Sequence, residues 1–246
     1  MTEGRLSRAD GHTLAWTRTP GEGPTIVWLG GLHSDMEGTK ALELDAWAAR
    51  AGRDFLRFNY FGHGTSSGDF KDGTIGRWRE DVLAVLDQLT TGPLVLVGSS
   101  MGGWMALLAL KARPERVKSL VLIAPAPDFT EKLMKPGIPP EGLADLASKG
   151  VWVRPSDYDD GGYPITRALI EDGERWSVLD QPIDFAGPVR ILQGGADIDV
   201  PAHHAQLLAT AITSPDLVFT LIKDGDHRLS RPQDLTRLIA AVEEVG

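Results

Sequence analysis

A mostly parallel β-sheet with helices on both faces is the α/β architecture this sequence predicts. Two patterns point to it. Short apolar runs such as Leu94–Val97 and Leu120–Ile123 are continuous rather than alternating, as strands buried on both faces require. Between them lie segments whose apolar residues recur every three or four positions, the period of an amphipathic helix. A third observation sets the scale. The 246 residues, 42% hydrophobic and 24% charged, suffice for one globular domain with a sizeable core and not comfortably for two.

Taken from the N-terminus, the Asp10-Gly11 turn and the run His12–Thr19 predict a short opening hairpin. Thr25–Leu29 (TIVWL) predicts a strand ending in Gly30-Gly31. Phe55–Phe58 predicts another, running into the Gly-rich stretch Phe61–Gly68. Ile75, Trp78, Val82, Val85 and Leu89 share one helical face. Leu94–Val97 is a strand, and a helix follows from near Ser100 to Lys111. Leu120–Ile123, Val189–Leu192 and Leu217–Ile222 supply the remaining strands. Ala202–Ile212 follows Pro201, a good helix starter. Leu235, Leu238, Ile239 and Val242 mark the last helix. Strands alternating with helices give a parallel sheet covered on both sides, with sites beyond the carboxyl ends of its strands.

Residues 129–187 break this rhythm, because they separate two core strands by far more than a usual connection. Seven of the 16 prolines fall between Pro136 and Pro188, which argues against long regular elements. Phe129, Leu133, Trp152, Tyr163, Leu169 and Trp176 argue against a disordered loop, since such loops are poor in aromatics. The expected organisation is a core of residues 1–128 and 188–246 with an inserted cap, 129–187.

Composition narrows the function classes. The net charge is -9 and the basic residues are scattered, so nucleic acid is a poor partner. There is no cysteine, which excludes disulfides, thiolate metal sites and a Cys nucleophile. No apolar run approaches the ~20 residues that cross a bilayer. The opening MTEGRLSRADG carries no apolar signal stretch, and a cytoplasmic location is the expectation.

The chemistry begins where Leu94–Val97 meets Gly98-Ser99-Ser100-Met101-Gly102-Gly103, a G-x-S-x-G pattern centred on Ser100. The five residues alone are a weak signal in a chain with 28 glycines. After a strand and before a helix they describe a nucleophile elbow, a sharp turn that lifts a serine hydroxyl above the sheet. Ser99 lacks the flanking glycines and reads as a hydrogen-bonding neighbour. Acyl transfer also needs donors for an oxyanion. The main-chain N–H of Met101 is one, and that of Leu32, after Gly30-Gly31, is the expected second.

Val189–Leu192 leads to Asp197, placed to orient a catalytic histidine; Asp199 is the nearer rival and Asp128 a more distant one. His227, in the Gly-containing loop after Leu217–Ile222, completes the order Ser, Asp, His. Gly31, His33, Leu133 and Trp152 are candidates for touching substrate. Leu133, Met134, Ile138, Trp152 and Leu169 equally suit an acyl channel or the cap's own small core. His33 and His63 are either mouth residues or ordinary loop polar groups. His203-His204 diverge on a helix, and no metal constellation is present. No cofactor is expected.

These residues resemble the α/β-hydrolase superfamily. Within it, Ser34–Leu42, Trp78-Arg79-Glu80-Asp81-Val82, Gly98–Trp104, Lys149-Gly150-Val151-Trp152 and Asp226-His227-Arg228 are similar to one group. That group contains the mitochondrial hydrolase that removes palmitoyl groups from protein cysteines and cleaves mycophenolic acid acyl-glucuronide. The resemblance spans roughly residues 25–245 and carries the group's triad onto Ser100, Asp197 and His227. Gln193 departs from the superfamily, many members of which have His before the glycine, so one local hydrogen bond is in question. The resemblance implies an esterase or thioesterase acting on a small-molecule or protein-linked acyl group, with fatty-acyl thioesters favoured. Other chemistry on the same scaffold (carbon–carbon bond hydrolysis, acyl transfer) and a non-catalytic binding module remain the alternatives.

Overall fold

The computed structural model describes residues 1–156 and 159–246. Its strands are β1 (Thr2–Ser7), β2 (Thr13–Thr19), β3 (Glu22–Leu29), β4 (Arg53–Phe58), β5 (Leu94–Ser99), β6 (Val117–Ile123), β7 (Val151–Ser156), β8 (Asp159–Thr166), β9 (Val189–Gly194) and β10 (Leu217–Ile222). Its helices are α1 (Thr39–Ala51), α2 (Ile75–Leu89), α3 (Met101–Ala112), α4 (Pro140–Lys149), α5 (Arg167–Glu174), α6 (Ala202–Ala211) and α7 (Pro232–Val245). Eight strands form one sheet in the order β1-β2-β4-β3-β5-β6-β9-β10. β1 and β2 pair antiparallel, β2 pairs antiparallel with β4, and the rest is parallel.

The continuous apolar strands feed two cores. Val27, Leu29, Leu96, Leu122 and Ile191 point to the face covered by α2, α3 and α6. Their neighbours Ile26, Trp28, Val95, Val97 and Val121 point to the face covered by α1 and α7. Successive strand residues face opposite sides, so an uninterrupted apolar run fills both layers. β10 departs from this expectation. It is the sheet edge, with Val218 46% and Leu221 50% exposed.

Helix α1 has no counterpart among the expected elements. Ala41, Leu44, Trp47 and Ala48 bury its inner face, and Gly52 ends it with φ 66°. Its start at Gly38 has no side-chain cap, so the usual Ser, Thr or Asp punctuation is missing. By contrast, α2 is capped by the Thr74 hydroxyl, which accepts from the Arg77 N–H at 3.2 Å.

Between β6 and β9 the chain leaves the sheet. A π-helical turn (Thr130–Met134), a 3₁₀ turn (Lys135–Gly137), α4, the β7–β8 hairpin and α5 follow in order. Prolines shape these short elements: Pro139 and Pro140 open α4. Asp157 and Tyr158, inside the expected cap, lie outside the described residues. Asp128 fastens the far end of this excursion. Its buried carboxylate accepts from the N–H groups of Val178 (2.9 Å) and Leu179 (3.0 Å) and from the Ser177 hydroxyl (2.7 Å).

Candidate active site

The register of the sheet brings five strand ends level. Leu29 pairs with Gly98, Ser99 with Ile123, Ile123 with Leu192, and Gly194 with Ile222. The loops that leave these ends carry Gly30–Leu32, Ser100, Asp197 and His227.

Ser100 sits between β5 and α3 at φ 55°, ψ -118°. A serine at positive φ costs on the order of 1–3 kcal/mol and persists only where its surroundings enforce it. The flanking glycines do so. A Cβ on Gly98 would lie 2.3 Å from the Gly102 carbonyl oxygen, and one on Gly102 would lie 1.9 Å from that of Leu29. Only glycine lets strand and helix close this tightly. The turn is also hydrogen-bonded, with the Ser100 N–H donating to Ile123 O at 2.9 Å.

His227 Nε2 lies 3.1 Å from Ser100 Oγ, and its Nδ1 lies 2.8 Å from Asp197 Oδ2. Asp197 is buried and its four acceptor positions are filled. Oδ1 takes the N–H groups of Asp199 (2.9 Å) and Val200 (2.8 Å), and Oδ2 takes His227 and the Gln193 amide at 3.2 Å. Gln193 thus supplies a donor at the point where the sequence left a hydrogen bond in question. The rival carboxylates are otherwise engaged. Asp199 faces Arg154 at 3.9 Å, and Asp128 is the fastener described above. Asp197, Asp199 and His227 offer ligand atoms within 4.8 Å of one another, but hydrogen-bond donors already fill the acceptor positions of Asp197, and His227 Nε2 faces Ser100.

The loop after β3 lies against Ser100. A Cβ on Gly31 would be 3.4 Å from Ser100 Cβ. Tyr60 Oη donates to Gly30 O at 3.3 Å, and Ser34 Oγ donates to Gly31 O at 2.8 Å. Asn59 Oδ1 accepts from the Met36 N–H at 2.7 Å, and the buried Arg57 guanidinium donates to Met36 O at 2.8 Å. Among the described residues the main-chain N–H groups of Leu32 and Met101 have no acceptor; for Met101, at the first turn of α3, this follows from helix geometry.

Two cavities meet at Ser100. One, of about 420 Å³, is walled mainly by apolar groups including Met101, Phe129, Leu133, Met134 and Val200, with Arg154 and Asp199 also in its wall. The other, of about 470 Å³, is the more polar, with Ser34, Thr39, Lys40 and Arg228 in its wall beside Trp28. Leu32, Tyr163 and His227 border both.

Among the expected substrate contacts, Leu133 lines the apolar cavity, and Gly31 and His33 line the polar one. Trp152 lines neither. It is buried at the base of the hairpin, its ring so close to Gly142 of α4 that a Cβ there would lie 2.9 Å from it, so it belongs to the local core. Ile138 and Leu169 are likewise buried outside both cavities. Ser99 borders the polar cavity, and among the described residues its hydroxyl makes no hydrogen bond, contrary to expectation. Tyr163 and Gln193 are the site residues that sequence reasoning did not assign. Tyr163 was visible only as an aromatic in the excursion.

Comparison with known proteins gives the family of the chain. The sequence profile of the α/β-hydrolase fold family matches residues 28–145. The Bos taurus mitochondrial palmitoyl-protein thioesterase ABHD10 is 38% identical over 241 residues, covering 98% of this chain and 78% of that protein. The crystal structure of a protein from Agrobacterium vitis S4 superposes with a TM-score of 0.95 at 44% identity, covering 99% and 98% of the two chains. Mouse ABHD10 superposes with a TM-score of 0.91 at 37% identity, with the same coverage. The chain therefore belongs to the α/β-hydrolase family, in the group of the ABHD10 thioesterases, and is a serine hydrolase of the esterase and thioesterase type.

Proposed function

We propose that the protein hydrolyses fatty-acyl thioesters through an acyl-enzyme on Ser100. The observation that carries this reading is the continuous path from Asp197 through His227 to Ser100, opening onto an apolar cavity on one side and a polar one on the other.

In this mechanism His227 Nε2 takes the Ser100 proton as Oγ bonds to the acyl carbonyl carbon. Asp197 holds the imidazole by Nδ1–H and stabilises its cation. The Leu32 and Met101 N–H groups receive the oxyanion, and the positive end of α3 adds to them. The C–S bond breaks, and the thiolate leaves with the proton from His227. Water then attacks the acyl-enzyme, gives its proton to His227, and the carboxylic acid departs as Ser100 recovers its hydrogen. The apolar cavity takes the acyl chain and the polar cavity the thiol-bearing leaving group, small-molecule or protein-linked. Residues 129–187 act as the cap that roofs the acyl chain.

The relatives named palmitoyl-protein thioesterase support the acyl class. Those relatives are named as mitochondrial, so the expected cytoplasmic address finds no support in them. Among the described residues no helix is long and apolar enough to cross a membrane.

The test is hydrolysis of acyl thioesters and matched oxyesters, from acetyl to palmitoyl, by wild type and Ser100→Ala. Rates that rise with chain length and vanish in the variant support the reading. Activity confined to short or bulky esters keeps the triad and discards the fatty-acyl preference. Full activity in Ser100→Ala overturns the mechanism.

A further inference from the structure

The Gly-rich stretch after β4 plays no part in the mechanism above, yet it is built around a buried histidine. His63 is 3% exposed and enclosed by the rings of Tyr60, Phe70 and Trp78, with centroids 5.2–5.5 Å away. Its Nδ1 lies 3.0 Å from Phe61 O, and its Nε2 lies 3.1 Å from the main-chain N of His33. A carbonyl oxygen can only accept and a main-chain N–H can only donate. Both contacts are therefore satisfied by one species, the neutral imidazole with its hydrogen on Nδ1. Burial favours the same form, holding the ring down to about 4.

The partner is what gives this contact meaning. His33 stands at φ 58°, an uncommon position for a non-glycine residue, directly after Leu32. The two preceding carbonyls are already held, by Tyr60 and Ser34. The His63 bond fixes the next peptide, leaving the Leu32 N–H as the donor turned to neither neighbour. The glycines of the stretch are needed for this placement. Gly64, at φ 49°, carries no Cβ because one would lie 2.4 Å from the Asn59 amide, which itself holds Met36.

We propose that His63 is a positioning residue for the oxyanion loop, holding the Leu32–His33 segment so that the Leu32 N–H faces the charge developing on the substrate. This rests on the reading of Ser100 and Leu32 given above. A donor already in place acts without reorganisation during the reaction, which is the basis of its catalytic worth.

Two variants separate the hydrogen bond from packing. His63→Phe keeps an aromatic ring in the cage and removes the acceptor. His63→Gln restores an acceptor near the Nε2 position. His63→Phe should lower kcat by about 10- to 100-fold, below the ~10²–10³ for outright loss of one oxyanion donor, with KM within about twofold. Affinity for an alkylboronic acid, which forms a tetrahedral anion on the serine, should fall in parallel. His63→Gln should recover most of both. Thermal unfolding and active-site titration of each variant correct for the folded fraction. Wild-type kcat and boronate affinity in His63→Phe overturn the proposal, as does equal impairment of the Phe and Gln variants, which would mark a packing role. Ser100→Ala, assayed alongside, shows separately whether the serine mechanism itself has failed.

Discussion

Asp197 shows how a single carboxylate is committed to one task. With two main-chain N–H groups on one oxygen and His227 and Gln193 on the other, it can neither rotate nor accept a further ligand. Asp197→Asn would present a donor to His227 and favour the wrong tautomer. The expected result is a fall in kcat of about 10⁴ with the fold intact, read by steady-state kinetics and circular dichroism. Asp81 has the opposite character. It is buried beside the Phe61 N–H (2.9 Å) and Arg8 (3.3 Å), and burial pushes its carboxyl up to about 6. The native state then holds a proton that the unfolded chain has released, between the ordinary value of 3.8 and about 6. The stability this confers is complete below the lower value and is lost as pH rises through the upper one. Asp81→Asn removes that slope. Urea midpoints should show the variant gaining on wild type by about 2 kcal/mol between pH 4 and pH 7, and a constant difference would refute the assignment. At this scale the meeting of Ser100, Asp197 and His227 is legible because each sits in a loop beyond an apolar run. The sequence leaves Trp152 open between the two, because an apolar side chain reads alike whether it faces a cavity or a local core.

Elements fit together here through absences as much as through side chains. Gly102 lets α3 rest against the end of β3, where a Cβ would lie 1.9 Å from Leu29 O. Gly102→Ala must push the helix from the strand and carry the Gly30–Leu32 loop with it. A loss of about 3 kcal/mol in thermal stability is expected, together with reduced labelling by a fluorophosphonate. Asp128 ties the end of the excursion to the sheet, and Asp128→Ala strands two main-chain donors and a hydroxyl. About 3 kcal/mol should be lost, and limited proteolysis within 129–187 should accelerate. Unchanged cleavage would mean that the fastener is dispensable. Strands β3 to β6 were visible as continuous apolar runs. Helix α1 was not, for want of a capping residue and because alanines supply half its inner face. The β7–β8 hairpin leaves no such signature, because Pro155 and Pro164 sit in strands that form a separate two-stranded sheet, outside the pattern of the core.

The core of the molecule is one eight-stranded sheet between two apolar layers, with the candidate site along a single edge of loops. That plan was readable because burial on both faces leaves a signature in consecutive residues, whereas strand order leaves none. The order has a consequence in time. Ser100 and His227 are 127 residues apart in the chain, and the loops bearing Asp197 and His227 leave β9 and β10, the last two strands to be made. A chain emerging from the ribosome owns the elbow long before it owns a base to activate it. Contacts of such long range form late in folding. In refolding from denaturant, helical circular dichroism should therefore return first, and fluorophosphonate labelling of Ser100 should lag behind it. On the proposed mechanism, Ser100 should stay chemically silent until the strands that carry Asp197 and His227 have assembled beside it.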